Sequence, residues 1–183
     1  MSSKYKVQNP EGLYFITSSV IDWIDLFIRN EYRQLMLTSW KYCMDEKGLD
    51  VYAWCIMTSH FHMIVSSRDK PVDHIVRDMK SFTSRHHRKE ISSHPQESRK
   101  EWMMRRMHNA GKFRSNNKDF QLWQQDFFPI ELTSNEMMEQ KLNYIHNNPV
   151  EAGFVDEPAH YLYSSARDYA GGKGLLDGIV LLE

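Results

Sequence analysis

The sequence predicts an α+β fold, a ferredoxin-like antiparallel sheet (βαββαβ) with helices on one face plus a tyrosine-bearing C-terminal helix. The first observation is the order of the segments: stretches rich in β-branched and aromatic residues alternate with stretches of helical periodicity as β-α-β-β-α-β. The second is size and composition. A chain of 183 residues, 41% apolar and 26% charged, is typical of a single domain, which we place at residues 1–183.

The first half of the chain predicts two helices and three strands. A strand is expected over residues 13–21 and a helix over about 29–46. Strands at about 50–57 and 60–66 are separated by so few residues that we expect them to pair antiparallel. A second helix follows, with a predicted buried stripe of Val72, Ile75, Val76, Met79, Phe82 and Thr83.

The second half is less regular. Residues 92–119 are polar and basic without sustained periodicity, which indicates a long loop or a frayed helix. Residues 123–132 predict a further strand, at an edge or bulge because it contains a proline. A third helix is expected to begin after Thr133 as N-cap and to run until Pro149 and Gly153 stop it, and residues 156–183 should form a tail packed on the body.

Two histidines in the predicted 60–66 strand form the first candidate site. Because side chains alternate along a strand, His60 and His62 should lie on one face and Phe61 should point into a core. Two neutral imidazoles on a rigid strand can begin a divalent-metal site, which then needs further ligands. With nine histidines in the chain such a pair also arises by chance, and the alternative is partly exposed packing.

The third helix carries the second candidate. Met138, Leu142 and Ile145 form its packing stripe, whereas Tyr144 and Asn148 share another face, about 40° apart at about 100° per residue. A tyrosine, with an ordinary pKa of about 10, is a poor general base near neutral pH but can form a phosphodiester that conserves bond energy. This suits strand transfer better than simple hydrolysis, and an asparagine oxygen can complete a metal's ligand set.

The charge is unevenly distributed. A net charge of −1 gives no overall argument for nucleic acid, but residues 77–114 contain eleven Lys and Arg against four acidic residues. This segment can hold a phosphate backbone, or it can be a solvated helix face followed by a loop. The candidate DNA-binding residues are Arg77, Lys80, Arg85, Arg105, Arg106, Lys112 and Arg114.

The remaining composition excludes several classes of protein. No apolar run is long enough for a membrane span, and the N-terminal residues do not form a secretory signal, so we expect a cytoplasmic protein. Cys43 and Cys55 are too few for a disulfide framework and are predicted to be reduced packing residues.

Four blocks closely resemble the single-tyrosine HUH transposases, in particular the REP-associated tyrosine transposase branch. They are Met57-Thr58-Ser59-His60-Phe61-His62, Trp123-Gln124-Gln125, the stretch KLNYIHNNPVEAGFV at 141–155 and the stretch YLYSSARDY at 161–169. The resemblance covers most of residues 13–178 in the right order, and the block at 141–155 is its most specific part.

The resemblance implies a transposase-like domain that cuts and rejoins single-stranded DNA, often beside hairpins, using Mg²⁺ or Mn²⁺ and a 5′-phosphotyrosine intermediate. Carried over to this sequence, Tyr144 would be the nucleophile, His60 and His62 metal ligands, and Asn148 the third ligand.

The third ligand has two other candidates. Asn148 precedes a proline and is therefore expected at the helix cap, so Asn147 or His146 can take its place. Two other functions also fit the sequence: a catalytically idle protein that binds DNA hairpins, and a metal phosphoesterase in which the tyrosine only packs. The oligomeric state is either monomer or homodimer.

Overall fold

The computed structural model describes residues 7, 9–112, 119–125 and 127–182 of the chain. The strands are β1 (Tyr14–Ser19), β2 (Leu49–Ile56), β3 (His60–Ser67) and β4 (Ile130–Glu131). The helices are α1 (Asn30–Lys47), α2 (Val72–Ser93), α3 (Lys100–Lys112), α4 (Asn135–Glu151) and α5 (Ala166–Tyr169). Short 3₁₀ turns at Ile21–Trp23, Leu26–Ile28 and Pro158–His160 connect them.

In the described part of the chain the sheet has the strand order β2-β3-β1-β4, and all its pairings are antiparallel. This is the ferredoxin-like arrangement predicted from the sequence, with α3 added between α2 and β4. The two central strands, β1 and β3, pair so that Thr17 lies opposite His62 and Ser19 opposite His60. The histidines therefore lie in the centre of the sheet.

Helices cover both faces of this sheet. The larger core lies on the face covered by α1, α2 and α3, and contains Trp40, Phe61 and Met79. A smaller core lies on the opposite face, where Ile145 of α4 packs with Phe15 and other strand residues. The prediction of helices on one face plus a separate tyrosine-bearing helix is confirmed.

Of the two alternatives predicted for residues 92–119, a long loop or a frayed helix, the structure favours helix for most of the described length. α2 continues to Ser93, and α3 occupies 100–112. Met103 and Met107, four residues apart, are fully buried, while the helix is otherwise mostly polar or charged. Two methionines give too weak a periodic signal to reveal a helix in so polar a segment.

The buried stripe of α2 also differs from the prediction at one position. Phe82 is exposed to 36%, and the stripe continues instead through Thr83, His87 and Ile91. His87 is fully buried, and its single N–H can donate to one of two nearby backbone carbonyls, those of Thr83 and Tyr32.

The strand predicted over residues 123–132 shortens to the two residues of β4. Trp123 makes only an isolated bridge to Val20, and its indole Nε1 donates to Thr83 Oγ1 at 3.0 Å. Pro129 lacks the N–H group that would continue the ladder, so regular pairing is confined to Ile130–Glu131.

The start of α4 is one residue later than predicted. Thr133 is not the N-cap; Ser134 has the extended conformation of a cap and its Oγ accepts a hydrogen bond from Met137 N at 3.2 Å. The residue type was right and the register was wrong by one position.

At the end of α4 the predicted stop at Gly153 is confirmed, but Pro149 does not end the helix, which continues to Glu151. Gly153 then stops it with a φ of 73°, and the Phe154 N–H donates to the Pro149 carbonyl at 2.9 Å, a Schellman motif. Pro149 has no N–H to donate within the helix, yet the last turn stays helical through Glu151. Asn148 is therefore inside the helix and not at its cap.

The segment after α4 lies along the outer edge of β2. Ile56 N donates to the Tyr163 carbonyl and Ser165 N to the Trp54 carbonyl, both at 2.9 Å. Farther along, Val180 N donates to the Val51 carbonyl at 2.9 Å. The contacts of this tail satisfy backbone groups that an edge strand would otherwise expose.

Cys43 and Cys55 are buried free thiols, as predicted. Among the described residues, no helix is long and apolar enough to cross a membrane.

Candidate active site

The two histidines of β3 lie on one face of the sheet, as the alternation predicted. Their ring centroids are 4.8 Å apart, and Phe61 between them is fully buried on the opposite face. His62 is only 4% exposed and stacks on Phe15.

The two ring nitrogens of His62 have different surroundings. Nδ1 lies 2.7 Å from Thr17 Oγ1, whereas Nε2 is buried and has no hydrogen-bond partner among the described residues. When Nδ1 carries the proton and donates it to Thr17, the lone pair of Nε2 is left for another group. His60 has a similar contact, because its Nδ1 lies 3.2 Å from Ser59 Oγ.

Both histidines are held in the neutral form. Burial lowers the pKa of His60, and burial together with the neighbouring charges of His60 and Lys141 lowers the pKa of His62 to about 3. Neutral imidazole is the form that binds metal ions.

Tyr144 lies above this pair on α4. Its ring centroid is 5.1 Å from that of His62 and 5.9 Å from that of Phe15, and 41% of the residue is exposed. Lys141, one turn earlier, places its Nζ 4.9 Å from the centre of the Phe15 ring and 5.6 Å from that of Tyr144. The site therefore combines two neutral histidines, an accessible phenol and a positive charge.

The three candidates for a third ligand differ in how their side chains are used. His146 is buried, its Nε2 lies 2.9 Å from Ser165 Oγ, and burial lowers its pKa to about 4. Asn147 donates its amide to the Asn143 carbonyl at 2.9 Å. Asn148 is half-buried, and its side chain makes no hydrogen bond within the described part of the chain. Of the three, Asn148 has the uncommitted side chain.

A metal at this site would need such an amide. Among the described residues no group of three or more His, Cys, Asp or Glu side chains is arranged to hold a metal ion. The orphaned Nε2 of His62 and the nearby ring of His60 fit a divalent cation, and an asparagine oxygen is a suitable partner for it.

The candidate DNA-binding residues fall into three groups. The first group is exposed and makes no hydrogen bond or ion pair with His60 or His62; it contains Arg77, Arg85, Arg105 and Lys112. Lys80 donates to the Gln124 carbonyl at 3.0 Å, and Arg106 pairs with Asp22, a neighbour of Trp23. Arg114 lies outside the described residues.

Three residues of the site were missed from the sequence. The sequence could have indicated two of them: Thr17 lies in the predicted first strand, and Lys141 lies three positions before Tyr144 on the predicted third helix. Trp23, which contacts His60 at 5.4 Å between ring centroids, had no signal, because its position depends on an unusual turn.

Comparison with known proteins agrees with this fold. The family model described as "Transposase IS200 like" matches residues 25–110. A solved structure titled "Structure of the REP associates tyrosine transposase bound to a REP hairpin" superposes with a TM-score of 0.64 at 18% identity, covering 100% of this chain and 94% of that chain. A search of curated proteins gave no match.

The matched segment and the fold are both those of DNA transposases, an enzyme class that processes DNA. The match over residues 25–110 and the shared fold support the transposase resemblance predicted from the sequence.

Proposed function

We propose that this chain is a metal-dependent endonuclease and strand transferase that acts on single-stranded DNA near hairpins. The observation that carries the proposal is the position of the Tyr144 ring, 5.1 Å from His62 and partly exposed on a helix above the histidine pair. The solved structure with the same fold is titled as bound to a hairpin, which supports a hairpin-bearing substrate here.

In the proposed reaction, the Tyr144 phenolic oxygen attacks the phosphorus of a phosphodiester and loses its proton to solvent. A bond from phosphorus to the tyrosine oxygen forms, and the bond from phosphorus to the 3′-oxygen breaks. The 3′-oxygen takes up a proton and leaves as a free hydroxyl, and the 5′-phosphate stays linked to Tyr144. The phosphotyrosine conserves the bond energy, so attack by another 3′-hydroxyl rejoins DNA.

The surrounding side chains support this step. The ammonium of Lys141 lies 5.6 Å from the centre of the Tyr144 ring, where its positive charge attracts the phosphate. His60, His62 and Asn148 would hold Mg²⁺ or Mn²⁺. The ion, when bound, would polarise the phosphate and offset its developing charge. Thr17 keeps the His62 ring oriented for this role.

The test uses Tyr144→Phe, which keeps the ring and removes only the nucleophilic oxygen. Wild-type protein, Mn²⁺ and a labelled hairpin-bearing single strand from the DNA flanking its own gene are incubated and denatured. We expect label that migrates with the protein and maps by mass spectrometry to the peptide containing Tyr144. The variant should bind DNA with nearly unchanged affinity and give no cleavage.

Tyr42→Phe is the matched control, because Tyr42 is 57% exposed on α1, across the sheet from the histidines. It should cleave like wild type. Cleavage that persists in Tyr144→Phe, without an adduct, would favour a phosphoesterase. DNA binding without any cleavage by the wild type would favour an idle hairpin-binding protein.

A further inference from the structure

Trp23 is unusually exposed for a tryptophan beside a buried site. It ends the 3₁₀ turn Ile21–Trp23, is 58% exposed, and its ring lies 5.4 Å from the His60 ring in an edge-on arrangement. The rings of Trp23, His60, His62 and Tyr144 therefore form a row, with centroid separations of 5.4, 4.8 and 5.1 Å. Trp23 is at one end of this row and the proposed nucleophile is at the other.

The backbone that presents Trp23 is strained. Asp22 and Trp23 both have a φ of 53°, a region that residues with side chains rarely adopt. An ion pair holds the turn, because Arg106 Nη2 lies 2.6 Å from Asp22 Oδ2 and Arg106 Nε donates to the same oxygen at 2.9 Å. Strain of this kind clusters at functional sites, and here it directs a large aromatic ring outward.

We propose that Trp23 is a stacking platform for an unpaired nucleobase next to the phosphate held at the histidine pair. This inference rests on the proposed function, which brings single-stranded DNA to that site. Every base has an aromatic face, so the ligand class is an unpaired base of any sequence. Stacking there fixes the register of the strand and hence which phosphate reaches Tyr144, which makes Trp23 a positioning residue.

The experiment compares two probes, a labelled oligothymidylate and a strand of the same length in which every base has been removed. Their affinities are measured with the full chain by fluorescence anisotropy in the presence of Mn²⁺. Wild type should prefer the base-bearing strand by about 5- to 150-fold, the range expected from stacking one base. Trp23→Ala should lose most of that preference while binding the abasic strand as wild type does, and Trp23→Phe should keep much of it.

Two controls separate stacking from a general effect. Tyr42→Ala removes an equally exposed aromatic ring, 57% against 58%, from α1 and should leave the preference unchanged. As a second measurement, the base-bearing strand should quench the tryptophan fluorescence of wild type more than that of Trp23→Phe. This comparison tests the same contact without truncating the side chain.

The outcomes distinguish this inference from the proposed function, because binding is read without cleavage. An equal preference in wild type and Trp23→Ala overturns the stacking role and leaves the Tyr144 mechanism intact. Failure of wild type to bind either strand overturns the single-stranded substrate itself. Loss of preference in Trp23→Ala with rescue by Trp23→Phe supports the inference, whatever residue performs the cleavage.

Discussion

The hydroxyl of Thr17 lies beside Nδ1 of His62, while Nε2 is left without a partner among the described residues. The pairing of β1 with β3 places these residues opposite each other, and Oγ1 lies 2.7 Å from Nδ1. A hydrogen bond to one imidazole nitrogen fixes the tautomer and orients the other toward a metal. Thr17 is therefore part of the proposed metal site although it would not touch the ion.

Thr17→Val should weaken Mn²⁺ binding by about 10- to 100-fold, the usual cost of losing a hydrogen bond behind a ligand histidine. Valine has nearly the same shape, so packing is preserved while the hydroxyl is removed. Titration calorimetry measures the effect, with His60→Ala/His62→Ala as the reference for a destroyed site.

Thr17→Ser restores the hydroxyl and should bind Mn²⁺ nearly as wild type does. Thr38→Val makes the same change at an exposed position of α1 and should have no effect. Equal Mn²⁺ affinities for Thr17→Val and wild type would mean that the hydroxyl does not orient the imidazole.

At the scale of single residues, the sequence predicts which way a side chain points where the regular period of a strand or helix determines it. The period of two placed His60 and His62 on one face, and the helical repeat placed Tyr144 off the packing stripe. Trp23 could not be found this way, because no local residue preference indicates two successive left-handed residues at Asp22 and Trp23.

At the element scale, α4 brings the reactive groups together. Lys141, Tyr144 and Asn148 fall within about 60° of one another around the helix axis at about 100° per residue. The helix extends past Pro149, so Asn148 keeps this angular position. Because residues before proline prefer extended geometry, we expected Asn148 at the helix cap. The Schellman motif at Gly153 and the packing of Ile145 instead keep the last turn helical.

The helix α3 offers the clearest test of the proposed DNA backbone binding. Arg105 and Lys112 are exposed on it, so replacing both by alanine should flatten the dependence of single-strand affinity on salt. The expected change in slope is about 0.7 for each phosphate that the variant no longer neutralises. Affinity is measured by anisotropy over a series of salt concentrations.

Lys173→Ala is the control for the α3 variants, because this lysine side chain is 82% exposed in the tail. Its removal should change the slope little. An unaltered slope in the Arg105→Ala/Lys112→Ala double variant would mean that these charges face solvent in the complex.

At the scale of the whole molecule, one buried carboxylate connects distant segments. Glu97 precedes α3, and its fully buried side chain accepts hydrogen bonds from Arg29, just before α1, and from Arg99. Burial acts to raise the pKa of Glu97, but the hydrogen bonds from Arg99 and Arg29 outweigh it and lower the pKa to about 2. Folding therefore favours the ionised form.

A lowered carboxyl pKa contributes stability above the unfolded value of 4.5 that is lost as the pH falls toward 2. The contribution at neutral pH is on the order of 3 kcal/mol. Glu97→Gln should be less stable than wild type at neutral pH, and the difference should close as the pH falls through this interval. Urea unfolding followed by circular dichroism measures it.

Glu101→Gln changes an exposed carboxylate nearby on α3 and should follow the wild-type curve. A constant difference between Glu97→Gln and wild type at all pH values would contradict the assigned ionisation of Glu97.

The general architecture could be predicted because each segment's composition agreed with its final environment. The exceptions are segments whose structure depends on distant partners: α3 is held by two buried methionines, and Trp123 is held by Thr83 instead of by a strand. The pattern of apolar and polar residues within a segment contains no information about such distant partners.

The tail along β2 affects the order in which the molecule can be completed. Ser165 hydrogen-bonds with Trp54, 111 residues earlier, and with His146 on the helix that carries Tyr144. A chain made from its N-terminus can therefore form the sheet and its first helices before it can fix the back of α4. During synthesis the helix that carries Tyr144 gains its rear support only after residue 165 has emerged, so the growing chain completes this part of the candidate site late.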